Sequence, residues 1–275
     1  MMKKLFTMLA MALMVISASA QDEKTAVCIG QLKNDSNVKD VVAKTLRSGI
    51  IDGINKKNRF VLVDYTTLGD VPESKNEMLK YLNDKGIQFL IEGSLNAVTY
   101  QQKDEYYQAE INYSLTIIDT ETGVTKSTVA YKDEWLTGSS NDDAIVKAVG
   151  EAKKRMARFV DENFKVEATI KELDQIDAKK GVKTCYISIG SAQGIAKGQI
   201  FEVFAKMEVA GEQIDKKIGE LKAKEVLSGT LTLCDVKSGG LEIQKNFEKG
   251  IKLTVVTRAT KAGLFERMDQ ALDKI

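Results

Sequence analysis

Residues 190–198, Gly-Ser-Ala-Gln-Gly-Ile-Ala-Lys-Gly, combine three glycines with a serine and a lysine, the residue types of phosphate-binding loops. Such a loop needs the pattern G-x-x-x-x-G-K-[ST] between a strand and a helix, so that backbone N–H groups face the phosphates. Here Gly198 is followed by Gln199 and Ile200, and the next residues have a strand pattern. We therefore expect the glycines to adopt positive φ in tight turns between two strands, with Lys197 in solvent.

Other catalytic patterns are missing from the sequence. The chain has no histidine, which excludes Ser-His-Asp and Cys-His nucleophile systems and most catalytic zinc sites. Asn141-Asp142-Asp143 lacks the spacing of a calcium loop and suits a helix N-terminus. A pair of carboxylates distant in sequence stays open, because two such acids can hydrolyse a glycan. We predict no catalytic residue, no cofactor and no bound metal.

Aromatic residues gather on two strands of the first half of the chain. Tyr100, Tyr106, Tyr107 and Tyr113 form a group with Trp135 in this part of the sequence. Aromatic side chains favour strands, so packing within a sheet explains them. The alternative is an exposed face that contacts a protein or a sugar.

The three cysteines, Cys28, Cys185 and Cys234, are too few for a disulfide scaffold. Cys185 and Cys234 fall in the same C-terminal region and could pair in an oxidising compartment. The alternative is that all three are small buried residues, because a free cysteine packs like a hydrophobic side chain.

The N-terminus has the pattern of a secretory signal peptide. A positive segment precedes the apolar run Leu5–Ile16, and Ala18-Ser19-Ala20 fits the cleavage pattern. The apolar run is shorter than the roughly 20 residues of a membrane-spanning helix, although an uncleaved anchor is the alternative. Without Lys3 and Lys4 the chain has 38 basic and 39 acidic residues. Such a balance is atypical of nucleic-acid-binding proteins.

Alternating strand and helix patterns occupy the first half. We predict strands at 25–33 and 60–64, the second buried on both faces because it is continuously apolar. Apolar residues at near-helical spacing predict a helix after a cluster of turn and cap residues at 34–37, and another helix at 73–85. Long strands follow at 89–100, 107–118 and 124–135, with a hairpin turn at 119–123, and a long helix begins at Ser140.

The second half changes character after a charged segment at 165–181, where we place a boundary. Short strand patterns at 182–189, 199–207, 216–226, 229–236 and 250–257 are separated by glycine-bearing turns, with no helical period, which predicts a small barrel or sandwich. An amphipathic pattern then predicts a C-terminal helix, whose apolar residues include Leu264, Phe265, Met268 and Leu272.

The fold class is therefore α+β: an N-terminal α/β sandwich, with a mixed sheet packed by helices, and a small C-terminal all-β barrel-like domain with a terminal helix. The predicted division is a signal peptide at 1–20, the sandwich at 21–165, the barrel at 166–260 and the helix at 261–275.

The sandwich resembles the family that includes the curli secretion protein CsgG and the penicillin-binding-protein activator LpoB. The resemblance rests on the opening strand and polar turn Ala26–Ser36, on Arg59-Phe-Val-Leu-Val-Asp64, on Lys85-Gly-Ile-Gln-Phe-Leu-Ile-Glu-Gly93, and on the hairpin turn Asp119–Gly123. It covers roughly residues 25–165. The chain departs from the family pattern because it lacks the lipidated cysteine that is common there. The resemblance therefore does not imply direct anchoring in the outer membrane.

The barrel region resembles the C-terminal domain of the flagellar assembly protein T. The matching segments are Ile187–Gly190, Gly194–Gly198, Phe201–Val203 and Ile218–Leu221, followed by Val226. This resemblance implies a periplasmic structural or assembly module without catalytic activity.

These features together predict a non-enzymatic exported protein of the periplasm that binds another cell-envelope protein, and peripheral association with the outer membrane is compatible with this prediction. The contact residues would be Tyr100, Tyr106, Tyr107 and Trp135 on the hairpin strands, with the apolar residues of the C-terminal helix. A homo-oligomer is compatible with this prediction, and a nucleic-acid partner is not. The alternatives are a carboxylate-based glycan hydrolase and an oligomeric outer-membrane secretion component.

Overall fold

The computed structural model describes residues 24–36, 38–132 and 134–259. It is an α+β protein with one open mixed sheet and one closed six-stranded barrel, as the sequence predicts. The predicted signal peptide and the predicted C-terminal helix lie outside the described residues. Within those ranges, none of the helices has both the length and the apolar character needed to cross a bilayer.

The first sheet has strand order β2-β1-β3-β4-β5, with a short β6 paired to β4. Its strands are β1 (Ala26–Asn34), β2 (Val61–Asp64), β3 (Phe89–Lys103), β4 (Tyr106–Asp119), β5 (Thr125–Lys132) and β6 (Leu136–Gly138). β1 runs parallel to β2 and β3, and the later strands pair antiparallel. The predicted strands of this half are confirmed, and so is the turn at 119–123, where Gly123 has φ +70°.

The predicted burial of β2 on both faces was wrong. β2 is an edge strand, and Val61 is 50% exposed. Phe60, which precedes the strand, accounts for much of the apolar pattern because it is buried and packs against Phe164 with ring centroids 4.8 Å apart. The apolar run at 60–63 therefore consists of one buried packing residue followed by an edge strand, and does not form a central strand.

Two helices, α1 (Asp40–Asn55) and α3 (Asn141–Asn163), cover one face of the sheet. They approach closely because α1 presents Gly49 and Gly53 to α3. A Cβ atom on Gly53 would lie 2.3 Å from the carbonyl oxygen of Lys153, and one on Gly49 would lie 2.7 Å from Cγ1 of Val149. Only glycine fits at these two positions.

The N-terminus of α3 is capped as its sequence predicts, because the Ser140 hydroxyl accepts a hydrogen bond from the Asp143 N–H. α1 differs from the prediction. Its N-cap is Lys39, whose side chain makes no capping bond. The polar cluster before it instead stabilises a turn, in which the Asn34 side chain accepts hydrogen bonds from Ser36.

A shorter helix, α2 (Lys75–Asp84), packs on part of the opposite face of the sheet. Its buried residues form a small separate core with residues of β1, β3, β4 and the loop before β3. The members of this core are Cys28, Met78, Leu79, Leu82, Ile87, Leu90 and Ile118. The remainder of this face carries hydroxyl side chains, among them Ser114 and Thr116 of β4. The sheet therefore has one covered face and one partly open face.

The barrel closes in the order β10-β11-β8-β7-β12-β9. Its strands are β7 (Glu167–Asp177), β8 (Gly181–Ile187), β9 (Ile200–Val209), β10 (Glu212–Val226), β11 (Thr232–Ser238) and β12 (Leu253–Arg258). The five predicted strands correspond to β8 through β12. The charged segment at 165–181, predicted as a boundary segment, instead contributes β7, because a barrel strand buries only its inward side chains, here Ala168 and Ile170.

The barrel region also contains a helix that the sequence analysis missed, α4 (Gly240–Glu248). It buries a single residue completely, Ile243, against the barrel. The helix is nine residues long and follows the Gly239-Gly240 pair, so its apolar period was too short to detect.

The sheet and the barrel meet at a buried ionic junction. Arg59, only 4% exposed, lies 3.0 Å from the Asp161 carboxylate and donates a hydrogen bond to the carbonyl oxygen of Phe164 at 3.1 Å. Its guanidinium also lies 3.5 Å from the hydroxyl of Thr257 in β12. Lys57 contacts the other carboxylate oxygen of Asp161 at 2.7 Å. Burial lowers the pKa of Arg59, and the charge of Asp161 opposes that shift.

Candidate functional site

The end of the β3–β4 hairpin is the candidate contact surface. β3 and β4 pair continuously from Phe89 with Asp119 to Lys103 with Tyr106, apart from one bulge. β5 pairs with β4 only over 112–118, and β6 only over 107–109. The hairpin therefore extends beyond the body of the sheet, and its outer residues 101–106 are exposed. A strand pair this far from the core presents its side chains to solvent.

The structure divides the predicted aromatic residues between two faces of this hairpin. Tyr100 pairs with Ala109, and Tyr107 lies two residues before Ala109, so both share the face that α3 covers. Tyr106 pairs with Lys103 and lies on the opposite face. The sequence placed these tyrosines in one group, because it gives the order of residues but not the pleat.

Exposure separates these residues further. Tyr100 is 39% exposed, Tyr106 is 40% exposed and Tyr107 is half-buried. Partial burial raises the pKa of Tyr100, with a smaller contribution from the negative charge of Asp142 at the start of α3. Tyr100 and Tyr106 are therefore about equally exposed and differ in the face of the hairpin on which they lie, whereas Tyr107 is the more buried of the three.

Trp135 is held beside the hairpin by β6. It immediately precedes Leu136, which pairs with Ala109, and it is 39% exposed. β6 itself is fixed against α3, because a Cβ atom on Gly138 would lie 2.3 Å from the backbone nitrogen of Ala144. A rigid support of this kind holds the exposed indole close to the hairpin.

Polar contacts surround the aromatic residues. Gln108 donates a hydrogen bond to the Thr137 hydroxyl at 3.3 Å, and Lys147 donates one to the Thr137 carbonyl oxygen at 3.0 Å. Glu110, nearly buried, pairs with Lys132 at 3.4 Å. These contacts involve residues of β4, β5, β6 and α3 near the hairpin.

Within Asn141-Asp142-Asp143, the Asp143 carboxylate stabilises the start of helix α3. The Asp143 carboxylate accepts a hydrogen bond from the Ser139 N–H at 2.8 Å and pairs with Lys147. Its pKa is lowered, first by the Ser139 backbone bond and then by Lys147. In the described ranges no group of three or more metal-ligating side chains comes together.

The glycine-rich loop lies between β8 and β9 and contains a single turn of 3₁₀ helix at Ser191–Gln193. Gly194 and Gly198 have φ of +71° and +90°, as predicted for turn residues, and Lys197 is exposed. Gly190 differs, because its φ is −155°. No side chain fits at position 190, because a Cβ atom there would lie 2.1 Å from the carbonyl oxygen of Ser228.

The larger of two cavities beside β1 lies on the partly open face of the sheet and has a volume of about 420 Å³. Its wall includes Tyr65 and Met78, and its floor carries the hydroxyls of Ser94, Ser114 and Thr116. The cavity lining includes one carboxylate, that of Glu92, which forms an ion pair with Lys75. A second acid, Asp35, borders the cavity, because it accepts a hydrogen bond from the Ser94 hydroxyl at 2.6 Å and pairs with Lys33 at 2.7 Å.

All three cysteine side chains are buried, and the structure contains no bond between any two of them. Burial raises the pKa of Cys28 and of Cys185 to about 12, and also raises that of Cys234. Such thiols form little thiolate, so they are poor nucleophiles in the folded protein. The other predicted contact residues, Leu264, Phe265, Met268 and Leu272, lie outside the described residues.

No protein-family model matches the chain, and no curated protein matches it. Solved structures that match part of it include the hypothetical protein CT253 from Chlamydia trachomatis, which is 8% identical. That match covers 51% of this chain and 97% of CT253, with a TM-score of 0.39. The PelC dodecamer from Paraburkholderia phytofirmans matches at 11% identity over 49% of this chain and 88% of that chain, with a TM-score of 0.36.

The LpoB C-terminal domain from Escherichia coli is also similar, with 10% identity over 46% of this chain and 93% of that chain, and a TM-score of 0.33.

Proposed function

We propose that the chain is a non-enzymatic exported protein that binds another cell-envelope protein through the end of its β3–β4 hairpin. The observation that carries this proposal is the extension of the hairpin beyond the sheet, with Tyr106 and Trp135 each about two-fifths exposed. Aromatic side chains that are exposed and rigidly supported contribute large contact areas at small entropic cost.

Export and the absence of catalysis are parts of the same proposal. The predicted signal peptide, with cleavage after Ala20, supports an envelope location. The lack of histidine supports a binding role over histidine-dependent catalysis.

A crosslinking capture of the mature protein from its own envelope fraction, with the bound proteins identified, tests this proposal. We expect one envelope protein to be recovered, and expect the double variant Tyr106→Ser/Trp135→Ser to reduce its recovery about tenfold or more, since aromatic anchors commonly contribute more than 1.4 kcal/mol. Val124→Thr is the matched control, because Val124 is 55% exposed on a different turn.

Two further variants locate the contact. Tyr100→Ser alters the face of the hairpin that α3 covers. If recovery of the partner is unchanged with this variant but reduced with the double variant, the partner binds the face that carries Tyr106. Deletion of residues 261–275 tests the predicted C-terminal contribution. Recovery of glycan fragments alone, or equal recovery by the double variant and wild type, contradicts the proposal.

A further inference from the structure

Cys185 and Cys234 lie directly opposite each other on neighbouring strands of the barrel. Cys234 of β11 pairs in antiparallel register with Cys185 of β8, between the pairs Leu233–Tyr186 and Asp235–Thr184. Both cysteines are fully buried in the barrel core. Register partners in an antiparallel sheet project to the same face, so both thiols point into the interior.

The spacing of such a pair suits a disulfide bond. Directly opposed residues in antiparallel strands have Cα atoms about 4.5 or 5.5 Å apart. Disulfides join cysteines whose Cα atoms are about 4.4–6.8 Å apart. The Cα separation of such a pair therefore lies within the range that a disulfide spans.

We propose that Cys185 and Cys234 form an intrachain disulfide in the exported protein, linking β8 to β11, while Cys28 remains a thiol. The inference rests on the proposed export, because disulfides persist in oxidising compartments. The two thiols lose two protons and two electrons as the S–S bond forms. The electrons and protons pass to the disulfide of an oxidising envelope protein, which becomes a dithiol.

Cys28 is excluded from this pairing by its position. It lies in β1 of the open sheet, within the small core under α2, where Met78 and Leu82 are among its neighbours. Cys185 and Cys234 belong to the separate core of the barrel. Cys28 thus serves as an internal reference thiol in any measurement of the pair.

Burial also determines when the bond can form. In the closed barrel both thiols are inaccessible, and their raised pKa values leave little thiolate to attack an oxidant. Oxidation must therefore precede closure of the barrel. A chain that folds in a reducing compartment keeps both thiols, and adding oxidised glutathione to that folded chain does not pair them.

The test counts thiols in denaturant, without reductant, in full-length protein purified from the envelope fraction. We expect one thiol per chain in the wild type and three after reduction. Cys28→Ser should have none before reduction, and Cys185→Ser should have two. Peptide mapping of the unreduced protein should recover the segments of β8 and β11 joined to each other within one chain. Any count other than one in the exported wild type overturns the proposal.

A refolding experiment separates this inference from the proposed function. The reduced, denatured mature chain is refolded in a mixture of reduced and oxidised glutathione, and its thiols are counted. If the chain is found only in the cytoplasm, the proposed function fails, and the refolded sample then decides the pairing. One thiol after refolding supports it, and three thiols overturn it.

Discussion

Gly194, in the glycine-rich loop of the barrel, packs directly against the backbone of Lys57, which follows helix α1. A Cβ atom on Gly194 would lie 2.1 Å from the carbonyl oxygen of Lys57 and 3.0 Å from the backbone nitrogen of Arg59. The loop that has the composition of a phosphate-binding site is therefore a contact between the barrel and the sheet. Its glycines provide the space for that contact.

Gly194→Ala is expected to destabilise the protein more than Gly211→Ala. Both glycines have positive φ, so each alanine should cost about 1–2 kcal/mol in backbone strain. Only the alanine at 194 also meets another backbone, because a Cβ atom on Gly211 has no neighbour within 4 Å. Urea unfolding of both variants measures the difference. Equal losses would show that the loop does not contact Lys57 in solution.

Asp161→Asn should cost about 3 kcal/mol or more of unfolding free energy, because it leaves the buried Arg59 guanidinium without its counter-charge. Asp52→Asn is the matched control. Asp52 also pairs with a lysine, Lys153 at 2.8 Å, but its side chain is 61% exposed, so the loss should stay below about 1 kcal/mol. Similar losses in the two variants would contradict a buried ionic junction.

Gly150→Ala should stabilise the protein by about 0.5–1 kcal/mol, because Gly150 lies inside α3 and a Cβ atom there has no neighbour within 4 Å. The same substitution at Gly53 should destabilise it, because that Cβ atom would lie 2.3 Å from the Lys153 carbonyl oxygen. Thermal unfolding of both variants reports the two signs. Stabilisation by Gly53→Ala would rule out the close packing of α1 against α3.

The native state should lose stability as the pH falls from 4 toward 2, partly through Asp64. The hydrogen bond from Arg47 lowers the pKa of Asp64 from 3.8 to about 2, with further bonds from Thr66. Because the pKa of Asp64 is lower in the folded state than in the unfolded state, its carboxylate stabilises the native state at pH values above the unfolded-state pKa. This contribution is lost as the pH falls toward the folded-state pKa and the carboxylate protonates. Asp64→Asn should therefore reduce the slope of unfolding free energy against pH in this window.

The pH prediction is measured by urea midpoints at pH 6, 4 and 3. Asp70→Asn is the control, because Asp70 lies in an exposed turn of the same region. An Asp64→Asn variant whose midpoints fall as steeply as those of the wild type and of the control would contradict a stabilising Arg47–Asp64 pair.

The sequence predicts much of the open sheet because its signals are local. Alternation along residues 107–118 and the glycine at 123 identify the β4–β5 hairpin, and Ser140 identifies the start of α3. β7 was missed because a barrel wall tolerates charges on its outer face at every second residue. α4 was missed because nine residues with one fully buried side chain make too short a period.

The candidate site was only partly predictable for a related reason. The aromatic composition of Tyr100, Tyr106, Tyr107 and Trp135 is visible in the sequence, whereas their distribution over two faces depends on the register of β3 with β4. The role of Arg59 had no sequence signal, because its partners Asp161, Phe164 and Thr257 are distant in the chain. Contacts between remote segments are set by tertiary packing, which local patterns do not encode.

The pairing of β7 with β12 has a consequence for how the chain is built. Val256 lies in register with Glu167, so the chain enters and leaves the barrel through adjacent strands, next to the junction at Arg59. The two ends of the barrel segment therefore lie side by side, close enough for a short linker to join them. The end of β12 lies close to the point at which the chain leaves α3, because the Thr257 N–H donates to the Val166 carbonyl oxygen and Arg59 contacts both Phe164 and Thr257, so another module joined at these two points would leave the sheet unchanged.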